Sequence, residues 1–297
     1  MTNCLSLING KFQDSVSVLD RGLAYGDGFF ETMFWTLKDE GGVVERFGVE
    51  FWNEHLNRIK KGCKLLKIKF PKEKNILHQR EKILRKFYSS GVKSGVLKMI
   101  ITRGVGGRGY KFQEKMDPTI IFLAFPRSKF DEKNYHSGVK ARYCRTKLSS
   151  NESLVGLKHL NRLDSVLARS EWKEDFFEGI LEDKKNNIVE GTMSNIFFIK
   201  KTKLFTPLIN ESGLNGVMRQ VVMKKSHFFF DKLIVKNISR QMVDDFDQMF
   251  LTNSLIRILP VRSLSKKKFV ISENLTSLVN YFNVTEIRER KKNLEIL

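Results

Sequence analysis

The chain has 297 residues, is 41% hydrophobic, and carries 53 Lys and Arg against 33 Asp and Glu, a formal net charge of +20. That length and apolar content suit two modest domains or one large one, while no apolar run reaches transmembrane length and Met1–Lys11 lacks the layout of a signal peptide. Three well-separated cysteines, Cys4, Cys63 and Cys144, argue against a disulfide framework and for a reducing, cytoplasmic setting in which they act as small apolar residues. The lysines are dispersed along the chain, with neither zinc-finger spacing nor an RNA-binding aromatic signature. The charge therefore fits an anionic small molecule better than nucleic acid, with a non-catalytic basic nucleic-acid binder as the outlying alternative.

In chain order, Leu5–Ile8 and Phe12–Val18 are predicted strands joined at the turn Asn9-Gly10. The glycine-rich run Arg21–Gly28 is predicted to be a loop, since Gly22, Gly26 and Gly28 interrupt regular structure. It lacks the Gly-Lys-Ser/Thr of a P-loop. Phe30–Leu37 alternates as a strand and Asp39–Gly42 turns it back. Val49–Lys67 is an amphipathic helix with Leu56, Ile59, Cys63 and Leu66 on its apolar stripe and Arg58 beside them. Ile76–Phe87 is a second helix, and Gly95–Thr102 an apolar strand interrupted by Lys98. The run from Arg103 to Tyr110 holds four glycines and two arginines, either a solvated surface loop or an anion clamp at a pocket mouth. Thr119–Phe125 is a buried strand. The polar stretch 126–137 is the predicted linker between a small domain, 1–125, and a larger one, 138–297.

The second half opens with the alternating strand Val139–Thr146. Lys158 follows, between that extended run and a helix with Leu163, Val166 and Leu167 at helical spacing. A lysine amine kept from water loses its proton more readily and becomes a nucleophile and a base. Gly179–Asp183 is a strand, and Ile188–Asn195 carries Glu190. A hairpin of Ile196–Lys200 and Lys203–Thr206 leads through a loop to a helix, Gly216–Phe229, whose N-terminal amides offer an anion site. Leu233–Ile238 is a strand, Ser239 caps a short helix, and Gln248–Thr252 is a buried strand ending in Thr252-Asn253-Ser254, small polar groups suited to a phosphate or to simple turn chemistry. Ser272–Leu297 is the terminal helix with a basic tail at Arg288–Lys292. The five histidines form no metal-ligand pattern, and neither a nucleophile elbow nor a dinucleotide fingerprint is present.

Five segments stand in a telling order: Leu19-Asp20-Arg21-Gly22-Leu23-Ala24-Tyr25-Gly26-Asp27-Gly28-Phe29-Phe30-Glu31-Thr32, His55-Leu56-Asn57-Arg58-Ile59, Gly156-Leu157-Lys158-His159-Leu160-Asn161-Arg162-Leu163, Val189-Glu190-Gly191-Thr192-Met193-Ser194-Asn195 and Leu214-Asn215-Gly216-Val217-Met218-Arg219. Over nearly the whole chain they resemble the fold-type IV pyridoxal-phosphate enzymes, which include branched-chain aminotransferases, D-amino-acid aminotransferases and 4-amino-4-deoxychorismate lyase. The resemblance implies a two-domain α/β (α+β) protein of the D-amino-acid-aminotransferase type, usually a homodimer, with pyridoxal 5'-phosphate in the interdomain cleft.

By the same resemblance Lys158 bonds the cofactor, Arg58 and the Gly216, Val217 and Met218 turn receive its phosphate with Thr252 and Asn253, Glu190 pairs with the ring nitrogen, and Asn195 steadies the site. Lys158-His159-Leu160-Asn161-Arg162-Leu163 and Gly107-Arg108-Gly109-Tyr110 look most like the lyase branch. Its substrate carries two carboxylates, so Lys98, Arg108 and Tyr110 are the substrate-binding candidates. The chain departs from the family at Arg257 and Leu259, where a small residue and an aromatic are usual. The implied activity is elimination of pyruvate to give 4-aminobenzoate for folate synthesis, with an aminotransferase as the runner-up.

Overall fold

The structure is a computed structural model that describes residues 4–40, 43–127 and 130–282. The chain divides into two compact units, Met1–Lys129 with Leu157–Asn161, and Phe130–Gly156 with Arg162–Leu297. The lysine segment is thus a five-residue excursion of the chain from the second unit into the first.

The first unit is a six-stranded sheet with two long helices on one face. Its strands are β1 (Leu5–Ile8), β2 (Lys11–Phe12), β3 (Gly28–Glu40), β4 (Val43–Val49), β5 (Ser94–Thr102) and β6 (Thr119–Pro126), in the order β2-β1-β6-β5-β3-β4. Every neighbouring pair is antiparallel. Alternation decides the faces. On β5, Gly95, Leu97, Met99 and Ile101 are buried while Val96, Lys98 and Ile100 are half-buried. The buried face packs with Met33, Trp35 and Phe122 and with Ile59, Ile76 and Ile83 of helices α2 (Trp52–Leu65) and α3 (Glu73–Tyr88). Phe30 lies opposite Ile100 and Thr32 opposite Lys98, so Phe30 and Lys98 share the other face.

Three expectations need correction here. The glycine-rich run contains a helix, α1 (Arg21–Tyr25). Asp20 caps it by accepting from Gly22 N–H, and Gly26 closes it at φ +63°. Such a left-handed C-terminal residue is the ordinary use of glycine, so Gly26 ends a helix where a loop was expected. Gly26 also lies against Asn161, whose Oδ1 a Cβ would strike. The strand expected over Phe12–Val18 is only Lys11–Phe12, with the remainder exposed and unpaired in the sheet. Cys4 is exposed, while Cys63 and Cys144 are buried as expected.

The second unit is a ten-stranded mixed sheet. Its strands are β7 (Val139–Lys147), β8 (Glu178–Glu182), β9 (Asn187–Gly191), β10 (Asn195–Lys200), β11 (Lys203–Pro207), β12 (Lys232–Lys236), β13 (Ile238–Ser239), β14 (Gln248–Asn253), β15 (Arg257–Leu264) and β16 (Lys267–Lys268). They run in the order β12-β11-β10-β14-β15-β7-β8-β9-β13, with β16 beside β15. The core gathers Ala141, Ile180, Ile196, Phe198, Met249, Leu251 and Leu259. Phe198 stacks on Phe246 at 4.7 Å, a pairing worth about 1 kcal/mol beyond area burial. Leu259 is fully buried here, in the core. Among the described residues five short α-helices flank the sheet: α4 (Asn134–Ser137), α5 (Leu163–Arg169), α6 (Val217–Lys225), α7 (Arg240–Val243) and α8 (Glu273–Asn280).

The apolar stripe of α5 is not buried in this chain: Leu163, Val166 and Leu167 are 71%, 61% and 57% exposed. The basic tail and the end of the expected terminal helix lie outside the described residues, as do Gly41 and Gly42 of the expected turn. Among the described residues no helix is long and apolar enough to cross a membrane.

Candidate active site

In the first unit the lysine segment lies along the start of β3 as a short antiparallel neighbour. Phe30 N–H donates to Lys158 C=O (2.9 Å), Leu160 N–H donates to Gly28 C=O (3.0 Å), and Phe29 faces His159. Backbone pairing, rather than a helix or a free loop, therefore fixes Lys158. Its Nζ lies 4.5 Å from the centroid of the Phe30 ring. Lys98 Nζ lies 4.9 Å from the same centroid. Burial draws the Lys98 ammonium below its ordinary pKa, because a cation shielded from water is costly.

On the opposite face of β3, Glu31 projects between His55 and Arg58 of α2. Arg58 Nε donates to Glu31 Oε1 (2.7 Å) and Nη2 to Oε2 (2.6 Å), and His55 Nδ1 is 2.6 Å from Oε2. All three are buried. Burial alone would push the Glu31 carboxyl up, but the charges and hydrogen bonds of Arg58 and His55 outweigh it and hold it at about 2. Arg58 is thus a buried, oriented guanidinium.

Of the two loop arginines, Arg103 is fully engaged. It binds Asp27 through Nε (2.7 Å) and Nη2 (2.9 Å), and donates to the carbonyls of Leu66 (2.7 Å) and Lys67 (2.9 Å). Its work is to join the end of α2 to the glycine-rich segment, which removes it from the anion clamp. Arg108 is exposed, and Tyr110 is 87% exposed with its ring 5.7 Å from that of Tyr25.

In the second unit the predicted residues converge on one turn. Glu190 stands inside β9 and is 2% exposed. Its Oε1 accepts from Arg162 Nη2 (3.0 Å), and its Oε2 from Leu214 N–H (2.7 Å). Asn195, the first residue of β10, donates from Nδ2 to Leu214 C=O (2.7 Å) and accepts at Oδ1 from Gly216 N–H (3.1 Å). At Gly216 a Cβ would collide with that Oδ1, so only glycine lets Asn195 grip the turn. Helix α6 begins immediately after, with Val217 and Met218 buried, no side-chain cap from Gly216 and no acid in its first turn. The first amides of a helix have no partners within it.

Thr252 faces Asn195 across the β10–β14 ladder. Its Oγ1 is buried and has no hydrogen-bond partner, an arrangement that a buried hydroxyl rarely keeps without a ligand or water. Asn253 is committed to its own turn: Oδ1 accepts from Leu255 and Ile256 N–H (2.8 and 2.9 Å), and Nδ2 donates to Met193 C=O (3.1 Å).

Sequence reasoning missed Glu178, a fully buried acid in β8. Its carboxylate accepts from Gly179 N–H, Thr192 N–H and Oγ1, Met193 N–H and Ser194 Oγ. Burial raises its pKa, although these donors oppose the rise. Glu178 thereby sets the turn that links Glu190 to Asn195. The one signal in the sequence was an acid at each end of a short apolar run, Glu178-Gly179-Ile180-Leu181-Glu182. Arg219 was also missed as a site element. It is buried against Thr206, Pro207 and Asn215, and burial lowers it to about 10. Among the described residues no cluster of His, Cys, Asp and Glu could hold a metal.

Residues 28–264 match the family model described as amino-transferase class IV. An aminodeoxychorismate lyase of Vibrio harveyi is 31% identical over 259 residues, 87% of this chain and 90% of that protein. A putative branched-chain-amino-acid aminotransferase of Methanocaldococcus jannaschii is also 31% identical, over 86% of this chain and 85% of that one. Among solved structures, 4-amino-4-deoxychorismate lyase from Pseudomonas aeruginosa superposes with a TM-score of 0.81 at 33% identity, covering 96% of this chain and 98% of that one. The branched-chain amino acid aminotransferase from Escherichia coli gives 0.78 at 23% identity, over 93% and 92%, and shares the fold.

Proposed function

The chain belongs to the amino-transferase class IV family, and on that premise we propose that it is a 4-amino-4-deoxychorismate lyase, releasing pyruvate and 4-aminobenzoate for folate synthesis. Its cofactor is pyridoxal 5'-phosphate. Bound, the cofactor supplies an electron-accepting ring for the charge left when a proton leaves the substrate. The residues fit such a group. Within the second unit the unpartnered Thr252 hydroxyl and the uncapped start of α6 suit a phosphate, and within the first the buried Arg58 guanidinium has the donors that an anion needs. Glu190, anchored through both oxygens, suits a protonated ring nitrogen.

In this reading Lys158 would hold the cofactor through Nζ, and its free amine would take the proton from the carbon bearing the substrate nitrogen. The same amine, now protonated, returns a proton to the departing enolpyruvyl group. Asn195 holds the Gly216 turn, and Glu190 would pair with the ring nitrogen and favour its protonated form. Asn253, with its side chain committed to the turn, contributes at most its remaining amide hydrogen. Lys98, Arg108 and Tyr110 bind the substrate.

The observation that carries the lyase reading is the pair of ammonium groups, Lys158 and Lys98, over the single Phe30 ring. One amine does the chemistry, and the second lies close enough to hold a carboxylate of an anionic ring. Aminotransfer is the second reading, favoured by the Methanocaldococcus relative at equal identity. Purified protein given aminodeoxychorismate should release 4-aminobenzoate and pyruvate in equal amounts. Turnover only of amino acids with 2-oxoglutarate would transfer the assignment to the aminotransferases. The protein should be yellow, and Lys158→Ala should lose the near-ultraviolet or violet band.

We also propose that the protein works in the cytoplasm as a homodimer; the exposed apolar stripe of α5 supports the dimer. A monomer mass by light scattering would refute the dimer.

A further inference from the structure

Arg108 sits in a segment with four glycines between residues 104 and 109 and no helix or ladder of its own around it. A side chain on such a backbone orients a substrate poorly unless something orders the loop. Arg21 does so. It is 3% exposed, and its Nη1 donates to Gly109 C=O (2.9 Å) and Gly107 C=O (3.5 Å), while Nη2 donates to Tyr110 C=O (3.3 Å). The residues on both sides of Arg108 are thereby tied to one guanidinium.

Arg21 is itself fixed. Nε donates to Asp27 Oδ2 (3.0 Å), and Asp27 is held edge-on by Arg103. Tyr25 completes the clamp from the same helix: its hydroxyl accepts from Gly109 N–H (2.8 Å), and its ring lies 4.7 Å beneath the Arg21 guanidinium. Three backbone carbonyls and a carboxylate need a planar fork of donors, which lysine lacks. Arg108 remains exposed and is not among these contacts.

We propose that Arg21 and Tyr25 are positioning residues that hold the 107–110 loop so that Arg108 presents its charge to a carboxylate of the substrate. The proposal rests on the lyase reading for what Arg108 binds, but not for the clamp, which can be measured without substrate. Trypsin cleavage at the Arg108–Gly109 bond should be slow in the native protein and about tenfold faster in Arg21→Met, because local opening sets the rate. Tyr25→Phe should show a smaller rise. Unchanged cleavage in both variants would overturn the clamp whatever the enzyme does.

With aminodeoxychorismate and the cofactor-loaded enzyme, Arg21→Met should raise KM about tenfold, or ~1.4 kcal/mol, with kcat within about twofold and the cofactor absorption band intact. Arg108→Ala should raise KM at least as much, and adding Arg21→Met to it should raise KM no further, since a residue that acts through another loses its effect when that other is gone. Additive effects, or a fall in kcat at constant KM, would refute the positioning role. A wild-type protein that binds the cofactor but does not act on aminodeoxychorismate would sink the lyase reading instead, and the cleavage result would still judge the clamp.

Discussion

Glu31→Gln isolates the electrostatics of the first unit. The substitution keeps shape and removes one charge from a carboxylate bonded to Arg58 and His55. The native carboxyl lies at about 2 against an ordinary 4.5, a difference that corresponds to about 3 kcal/mol at neutral pH. An independent route agrees: removing one partner of a buried ion pair typically costs 3–5 kcal/mol, because the other charge stays buried. The sign follows from a lowered folded pKa. The contribution is complete above 4.5 and is lost as pH falls toward 2, so the gap between wild type and variant should shrink from about 3 kcal/mol at pH 7 to about 1.5 kcal/mol at pH 3. Urea unfolding followed by tryptophan fluorescence at the two values measures it. A gap below about 1 kcal/mol at pH 7, or one that does not change with pH, would show that Glu31 is not held by its two cations.

Thr252→Val removes a buried hydroxyl that has no partner. The unloaded protein should be unchanged or more stable by about 1 kcal/mol, while pyridoxal phosphate should bind about tenfold more weakly, ~1.4 kcal/mol; destabilisation with unchanged cofactor affinity would contradict a phosphate role. Glu178→Gln keeps one acceptor oxygen and turns an amide toward Met193 N–H, so it should cost about 1–3 kcal/mol. Burial raises the Glu178 pKa, so its ionisation costs stability as pH rises past 4.5; thermal melts should show this gap narrowing as pH rises, opposite to Glu31. Burial pushes the Cys63 and Cys144 thiols up to about 12. An aromatic disulfide reagent at pH 8 should therefore label Cys4 alone in the native protein and all three cysteines in denaturant.

Local patterns were legible where one element decides the outcome. The apolar run Gly95–Thr102 predicted the strand β5, and the stripe of α2 predicted a helix and the face it buries. The glycine-rich run misled because the reading treated glycine only as a breaker. Gly22 lies against Thr102, where a Cβ would collide, and Gly26 caps α1. The first need arises from close packing and the second from a left-handed backbone, neither of which composition displays. Likewise Leu163, Val166 and Leu167 have the period of a buried face but lie exposed in this chain. Periodicity identifies an apolar face and leaves open which chain covers it.

The candidate site divides the same way. Lys158, Glu190, Asn195 and the Gly216 turn stand in short motifs, and within the second unit Glu190 and Asn195 both close on Leu214–Gly216. The residues that hold such groups are remote in sequence: Glu31 for Arg58, Arg21 for the loop around Arg108, Glu178 for the turn after Glu190. Each is a buried ionisable group with partners outside its own element, so only the folded sheet reveals the pairing. Their burial also bears on the net charge of +20. Among the described residues six acids, Asp20, Glu31, Glu178, Glu182, Asp183 and Glu190, are buried against four arginines, Arg21, Arg58, Arg103 and Arg219, whereas most lysines remain outside. The solvent-facing charge is therefore slightly more positive than the balance of residues implies. A field of that sign favours encounter with a dianionic small molecule, and it does so without a dedicated basic arm in the sequence.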